Sequence, residues 1–513
     1  MAATPIPKLV GIVGTKPAIS KPKLGLRAWM DRVLVECDRA AAGFEADPVH
    51  DLRVALRRCR SLADGMRAID PDSSWKDMKK AGKKLFQALG ELRDMQVMQE
   101  WIEKLSDSHD PADSVAVKLL NHVHVRESVC KQLAFKDLDQ FDRKQWRQWS
   151  RTLPQRASRV RPGSAVYLHL ALEKWTAAYE LHKHALRTRS QVSLHQLRIG
   201  IKRFRYTVEN FLPRQHALWG GDLKELQDLL GEVHDLDVLW AAAVSCQVFH
   251  DANSRNRWHQ RILSERSKRI EAYRAKMIGE DSLWQIWRAA LPQGKQIAVL
   301  ATRRMKLWAT GLDPDFAHSE RVASLALQLY DGLLAWGWRP AVDAASARSS
   351  LLAAALLHDV GKSEGQKGHH KATFDLIRTR GNPLGWKPGE LQCAAVVARF
   401  HHGALPTRKH KTLRDLLPDE QKAAIQLAAV LRLANALDAT HDGHIRRLQI
   451  ENVQVKTRGN EALIITAEGY SPLGPSAQTI AAERHLLETV LHRPVVIKPM
   501  KNPLPRSPSR QIL

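Results

Sequence analysis

LHQLRIGIKRFR, residues 194–205, carries His195, Arg198, Lys202 and Arg205 at relative positions 0, 3, 7 and 10. On an α-helix those positions share an arc of about 80° and span about 15 Å of axis. Leu194, Leu197, Ile201, Phe204 and Val208 fill the opposite side. The spacing therefore predicts a helix that packs by its apolar face and displays cations on the other. VHDLRVALRRCR, residues 49–60, repeats the row as His50, Arg53, Arg57 and Arg60 over Leu52, Ala55, Leu56, Cys59 and Leu62. Two copies of one amphipathic helix predict that this part of the chain is all-α and duplicated.

The duplication extends past the rows. LGELRDMQVM (89–98) and LGEVHDLDVL (230–239) share the frame LGExxDxxV, and Lys83 and Lys224 precede it at the same distance. Apolar spacing stays mostly helical over 24–287, with breaks at Asp70-Pro71, Asp110-Pro111, Arg161-Pro162-Gly163 and Leu212-Pro213. A second helical stretch follows residues 291–295 and runs to about His441. There the period changes: RRLQIENVQVKTRGNEALIITAEG (446–469) alternates about Arg458-Gly459-Asn460 and predicts a hairpin. A helix through AAERHLLETVLH (481–492) and a strand in VVIKPM (495–500) complete a second domain of helices with a small sheet. The Pro- and Lys-rich ends, 1–23 and 501–513, read as disordered.

With 513 residues, 44% of them hydrophobic, the chain exceeds what one core usually serves. Lys+Arg of 79 against Asp+Glu of 54 gives a formal charge of +25, a field that draws polyanions. Cys37, Cys59, Cys130, Cys246 and Cys393 are odd in number and lack CxxC spacing, so neither a disulfide framework nor a thiolate metal site is expected. The run LVGIVG (9–14) is too short for a signal sequence, and no apolar stretch approaches the roughly 20 residues of a membrane span. A soluble cytoplasmic protein is expected.

Cations at i,i+4 on a helix repel by a few tenths of a kcal/mol each, so a row needs a reason. Arg60 and Arg205 each have an acid one turn on, Asp64 and Glu209, and read as structural. His50, Arg53, Arg57, His195, Arg198 and Lys202 have none four residues away. A linear, repeating anion lying along the row would exchange that repulsion for charge-assisted hydrogen bonds. Trp101, Trp175 and Trp240 sit in apolar helical spacing and read as core rather than base-stacking platforms. Nucleic acid is expected only as a nonspecific competitor.

Paired HxxRxxx(R/K)RxR helices, each followed by an LGxxxDxxVL segment, resemble the CHAD family, the conserved-histidine α-helical domains. The likeness implies two four-helix halves around a basic channel that binds inorganic polyphosphate. His50, Arg53, Arg57, Arg58, His195, Arg198, Lys202 and Arg203 would line it, with Lys83 and Lys224 as further candidates.

The second helical stretch carries a different chemistry. LLAAALLHDVGK (351–362) is an apolar helix running into His358-Asp359, with Gly361 placed as a C-cap. His318, His369, His401, His402 and Asp438 recur around it. Imidazoles and carboxylates from several helices suit a borderline divalent ion such as manganese, iron or zinc. In order, HSERVA, LLHDVGK, GHHK, FHH and LRLANALD resemble the HD-domain metallophosphohydrolases. Over 296–499 they resemble the C-terminal half of exopolyphosphatase/guanosine pentaphosphate phosphohydrolases. By that likeness His318, His358 and Asp359 hold a first metal, His369 and His401 a second, and Lys362 meets a substrate phosphate; Asp359 and His402 join it as catalytic candidates. The family's last ligand is an aspartate, where this chain has Asn435. Asparagine ligates without charge, and Asp438, one turn along, is the alternative ligand.

The expected protein is mostly α. A duplicated four-helix CHAD-like domain (24–290) precedes a helical HD-type domain (296–500) with a small β-hairpin or sheet extension. The expected activity is polyphosphate binding joined to a phosphohydrolase-like module with a divalent cofactor (manganese, iron, zinc or magnesium). That module would act on polyphosphate or phosphorylated nucleotides, in the cytoplasm or at polyphosphate granules. The alternative is a catalytically silent, granule-associated binding protein.

Overall fold

A computed structural model describes residues 25–106, 114–451 and 462–500. Both terminal segments read as disordered, the Asp110-Pro111 break and the Arg458-Gly459-Asn460 turn lie outside the described residues. The first stretch forms α1 (Leu26–Ala41), α2 (Ala46–Met66), α3 (Ser74–Ala81), α4 (Lys83–Leu105), α5 (Ser114–Asp139) and α6 (Arg143–Ala157). The second forms α7 (Ala165–Thr188), α8 (Gln191–Phe211), α9 (Pro213–Ser245), α10 (Ala252–Met277) and α11 (Leu283–Ala289). The remaining helices are α12 (Gln296–Ala309), α13 (Phe316–Trp336), α14 (Ala344–Leu357), a 3-10 turn (Val360–Glu364), α15 (His369–Arg378), α16 (Glu390–Arg399), α17 (Lys411–Arg414), α18 (Pro418–Leu437), α19 (Ala477–Glu483) and α20 (His485–Leu491). Strands β1 (Leu448–Ile450), β2 (Leu463–Ala467) and β3 (Val495–Pro499) make one sheet in that order. The chain is mostly α with a small β extension. β1 and β2 pair antiparallel, as the alternation predicts, and β2 and β3 pair parallel across α19 and α20.

The two basic rows fall on α2 and α8, and the two LGE frames on α4 and α9. Four helices of sixteen residues or more recur in order, α1, α2, α4, α5 and then α7 to α10, with shorter α3, α6 and α11 added. The copies differ at one joint. Gly82 interrupts the first between α3 and α4, so Lys83 opens a helix, whereas Lys224 lies inside the unbroken 33-residue α9.

The described residues fall into two compact units. One takes in Met1–Ala63, Ser74–Val160 and Val238–His259, the other Asp64–Ser73, Arg161–Asp237 and Gln260–Leu513. Within the second, Gly200 lets α7 and α8 approach closely, since a Cβ there would lie 2.8 Å from Leu181 Cδ1. Also within it, Arg304 of α12 bonds Glu173 of α7 at 2.7 Å and His169 Nδ1 at 3.1 Å. His169 Nε2 in turn donates to the Leu384 carbonyl at 3.0 Å. Burial depresses the His169 pKa, and its neutral ring serves as acceptor on one side and donor on the other. A single apolar core spans α13, α14, α16, α18 and the sheet, around Leu329, Tyr330, Leu351, Leu427 and Ile465.

Candidate functional site

Each basic helix does what its spacing predicts. On α2, Leu52, Ala55, Leu56 and Cys59 are buried, and on α8, Leu197, Ile201, Phe204 and Val208 are. His50, His195, Arg203, Lys83 and Lys224 are exposed, and Arg53, Arg57, Arg58, Arg198 and Lys202 are half-buried. Several of these cations already have partners. Arg53 donates to the Leu89 and Gly90 carbonyls at 3.1 and 3.2 Å, Arg58 lies 5.4 Å over Trp29, and Lys224 pairs with Asp228 at 2.9 Å. Arg60 donates to the Lys79 carbonyl at 2.7 Å and lies over Phe86, in keeping with a structural role. Trp101 and Trp175 are buried, and Trp240 is half-buried against His259 at 4.4 Å between ring centres.

Two further residues join the rows from the LGE frames. Arg93 and His234 occupy the same position in the two copies, LGELRD and LGEVHD. His234 faces His195 with their Nδ1 atoms 3.4 Å apart. Burial, reinforced by Arg198, His195 and Lys202, pushes the His234 pKa down to about 4. Burial and then Arg198 and Lys202 lower His195, while burial and then Arg93 and Arg57 lower His50. The signal for both residues was present in the aligned frames, in the one position where the copies differ by a basic residue type.

The histidine–aspartate centre lies within the second compact unit. His358 and Asp359 follow α14 directly, and the 3-10 turn folds the chain back so that α15 brings His369 alongside. Gly361 is not a C-cap here. A Cβ at this position would lie 2.1 Å from the His369 carbonyl oxygen and 2.5 Å from Thr373 N, so glycine permits the close approach of α15. Thr373 locks the joint, accepting from Gly361 N at 3.0 Å and donating to the His358 carbonyl at 2.9 Å.

Three imidazoles are held in the same way. The Nδ1 atoms of His358, His369 and His401 lie 2.8, 2.9 and 2.7 Å from the carbonyls of Ala355, Gln366 and Ala398. A carbonyl only accepts, so each Nδ1 carries a proton, and each ring turns its Nε2 toward Asp359. Those Nε2 atoms lie 3.4 Å from Asp359 Oδ2 for His358, and 3.4 and 3.7 Å from Oδ1 for His369 and His401. His369 and His401 Nε2 are only 3.1 Å apart, and His358 Nε2 is buried without a hydrogen-bond partner. Lone pairs gathered around a carboxylate repel unless a cation sits among them. Bond lengths of about 2.0–2.2 Å from one ion place its ligand atoms roughly 3.0–3.5 Å apart, so the residues fit a divalent metal. The ligand atoms of His318, His358 and Asp359, and those of Asp359, His369 and His401, each lie within 4.8 Å of one another. Burial lowers the pKa of His358 and of His401, keeping both rings neutral. Burial works to raise the Asp359 pKa, but His358, His401 and Lys362 outweigh it and hold the carboxyl ionised.

The other predicted residues surround this core. Lys362 Nζ lies 2.5 Å from Asp359 Oδ2. His318 Nε2 is 3.0 Å from Asn435 Oδ1, and its Nδ1 is 2.7 Å from Asp438 Oδ2. Asp438 also accepts from Arg321 and from Gly443 N, so it lies behind His318 with its oxygens engaged, while Asn435 is on the Nε2 side. His402 is exposed, its ring 6.2 Å from that of His369. Reading the sequence missed His441, stacked on His318 at 3.7 Å between ring centres and bonded to Asp315 at 2.7 Å. No spacing in the sequence marks that pair.

Residues 25–244 match the model of the CHAD domain, and residues 304–485 that of the Ppx/GppA phosphatase, domain III. The chain joins a CHAD domain to a Ppx/GppA phosphatase domain III. No match was found among curated proteins. The two basic rows and both LGE frames fall inside the CHAD match, and every residue of the histidine–aspartate centre falls inside domain III. Both families are associated with polyphosphate, and their pairing suggests a polyphosphate-related function. Among the described residues no helix is long and apolar enough to cross a membrane.

Proposed function

We propose that the chain holds inorganic polyphosphate along the rows His50–Arg53–Arg57–Arg58 and His195–Arg198–Lys202–Arg203, and that domain III is a metal-dependent phosphohydrolase acting on polyphosphate or phosphorylated nucleotides. The observation that carries the enzymatic part is the convergence of three Nε2 atoms on the two oxygens of one buried aspartate. Asp359 with His318, His358, His369 and His401 would hold the metal, manganese, iron, zinc or magnesium. Bound there, the ion would polarise a phosphate oxygen and acidify a water. Lys362, half-buried beside Asp359, supplies an ammonium for substrate phosphate, and His402 faces solvent at the rim. The modules in this reading span 24–290 and 296–500, and the protein works in the cytoplasm, at polyphosphate granules.

A second reading, a silent polyphosphate-binding scaffold, draws on Asn435 and on the lysine already paired with Asp359. Metal analysis combined with a phosphate-release screen over polyphosphate and nucleotides tests both. The first reading requires bound metal and phosphate release that disappear together in Asp359→Ala. Metal-free wild type that cleaves nothing, yet binds polyphosphate, establishes the second.

A further inference from the structure

Asp359 presents one oxygen to each of two ligand groups, and the two groups differ in how many of their atoms are already satisfied. Around Oδ1, all three atoms are open. The Nδ1 protons of His369 and His401 are committed to the Gln366 and Ala398 carbonyls, which leaves each Nε2 as the ring atom turned to the other and to the carboxylate. Their separations of 3.1, 3.4 and 3.7 Å suit three ligands of one ion with an open fourth position.

Around Oδ2 the situation is different. Lys362 Nζ already lies 2.5 Å from that oxygen and supplies the positive charge an ion would bring. His318 turns Nδ1 to Asp438 Oδ2 at 2.7 Å and Nε2 to the Asn435 amide at 3.0 Å, so both ring nitrogens already have partners. The oxygen and nitrogen of an asparagine amide exchange places by a half-turn, and in the turned state Asn435 Nδ2 donates to His318 Nε2. An aspartate at position 435 has no proton to give, and its charge against that lone pair calls for a cation between them. With Asn435 and Lys362 in place, only His358 Nε2 remains open on this side.

We infer that the centre holds a single divalent ion, on Asp359 Oδ1, His369 and His401, and that Asn435 and Lys362 stand in for a second. The inference rests on domain III being a metal centre. It limits the chemistry to one ion with an adjacent fixed ammonium: the ion takes one phosphate oxygen and Lys362 meets the charge on the other side.

Manganese(II) is the probe, with the full chain loaded, dialysed, and measured by metal analysis and electron paramagnetic resonance. Wild type is expected to retain one manganese per chain with an uncoupled six-line spectrum. His369→Ala should lose that ion and His318→Ala should keep it. Asn435→Asp should bind a second ion, with a broadened spectrum from two coupled centres. Two ions in the wild type, or one that survives His369→Ala and is lost in His318→Ala, overturns the inference and leaves the metal-centre reading standing. Wild type that retains no manganese, zinc or iron overturns both. If Asn435→Asp does not fold, the alanine pair and the wild-type stoichiometry still decide.

Discussion

The basic helices and the histidine–aspartate centre both gather groups that repel one another, but they do so on different scales. On α2 and α8 the cations are spread along about 15 Å of axis, each with its own local arrangement. Arg53 leans on backbone carbonyls and Arg58 on an indole, and Lys224 of the neighbouring α9 leans on an aspartate. In domain III the Nε2 atoms of three imidazoles meet one carboxylate within 3.7 Å. A distributed site loses a fraction of its affinity with each residue removed. A convergent site depends on one atom set and fails as a whole.

The sharpest test of that contrast is Asp359→Ala. It removes the group both ligand sets share, and metal affinity should fall by more than the roughly 10–100-fold that loss of a supporting residue costs. Metal titration by calorimetry checks it; a loss under tenfold would mean that the imidazoles suffice and the centre is itself distributed. Next in size is Gly361→Ala, whose Cβ would meet the His369 carbonyl oxygen at 2.1 Å. About 2–3 kcal/mol of stability should be lost by overpacking. Gly231→Ala, with nothing within 4 Å of its Cβ inside α9, should instead be neutral or stabilising by up to about 1 kcal/mol. Urea unfolding of the two variants measures the difference.

On the rows the effects should be smaller and graded. Arg198→Met and Lys202→Met should each weaken long-chain polyphosphate binding by about threefold to tenfold near 0.15 M salt, and each should flatten the salt dependence by about one contact. A hundredfold loss from either one would mean that the row is convergent after all.

The smallest expected effect is on pH dependence. His234 is neutral in the free protein, its pKa pushed down to about 4, and a phosphate chain beside it favours the imidazolium. Binding then takes up a proton, so affinity rises as pH falls from 7 toward 5, by at most about tenfold per pH unit for one proton. His234→Gln should remove that share of the slope. The first copy has the permanently charged Arg93 at this position, which contributes none. Calorimetry in two buffers of different ionisation enthalpy counts the protons directly.

Much of this was legible in the sequence because it repeats. The rows, the LGE frames and the ordered His/Asp segments each announce themselves by period or order, and they fall on α2, α8, α4 and α9, and on α13, α18 and the ends of α14, α15 and α16. What was not legible depends on the third dimension. Lys83 opens a helix and Lys224 does not, because Gly82 breaks one copy and α9 runs on. Asp438 shares a helical face with Asn435, yet turns its oxygens to His318 Nδ1, Arg321 and Gly443. Gly361 has the place of a cap in the sequence and the work of a spacer in the fold, a distinction only the neighbouring α15 can make.

Arg304 bears on any attempt to dissect the protein. A cut between residues 244 and 304, where the two family matches part, would free a piece in which this guanidinium has lost both Glu173 and His169. The stump would carry an orphaned charge on a newly bared apolar helix. A fragment meant to stay folded should therefore begin before α7, at about residue 161, and include a stretch that the family boundaries assign to the other module.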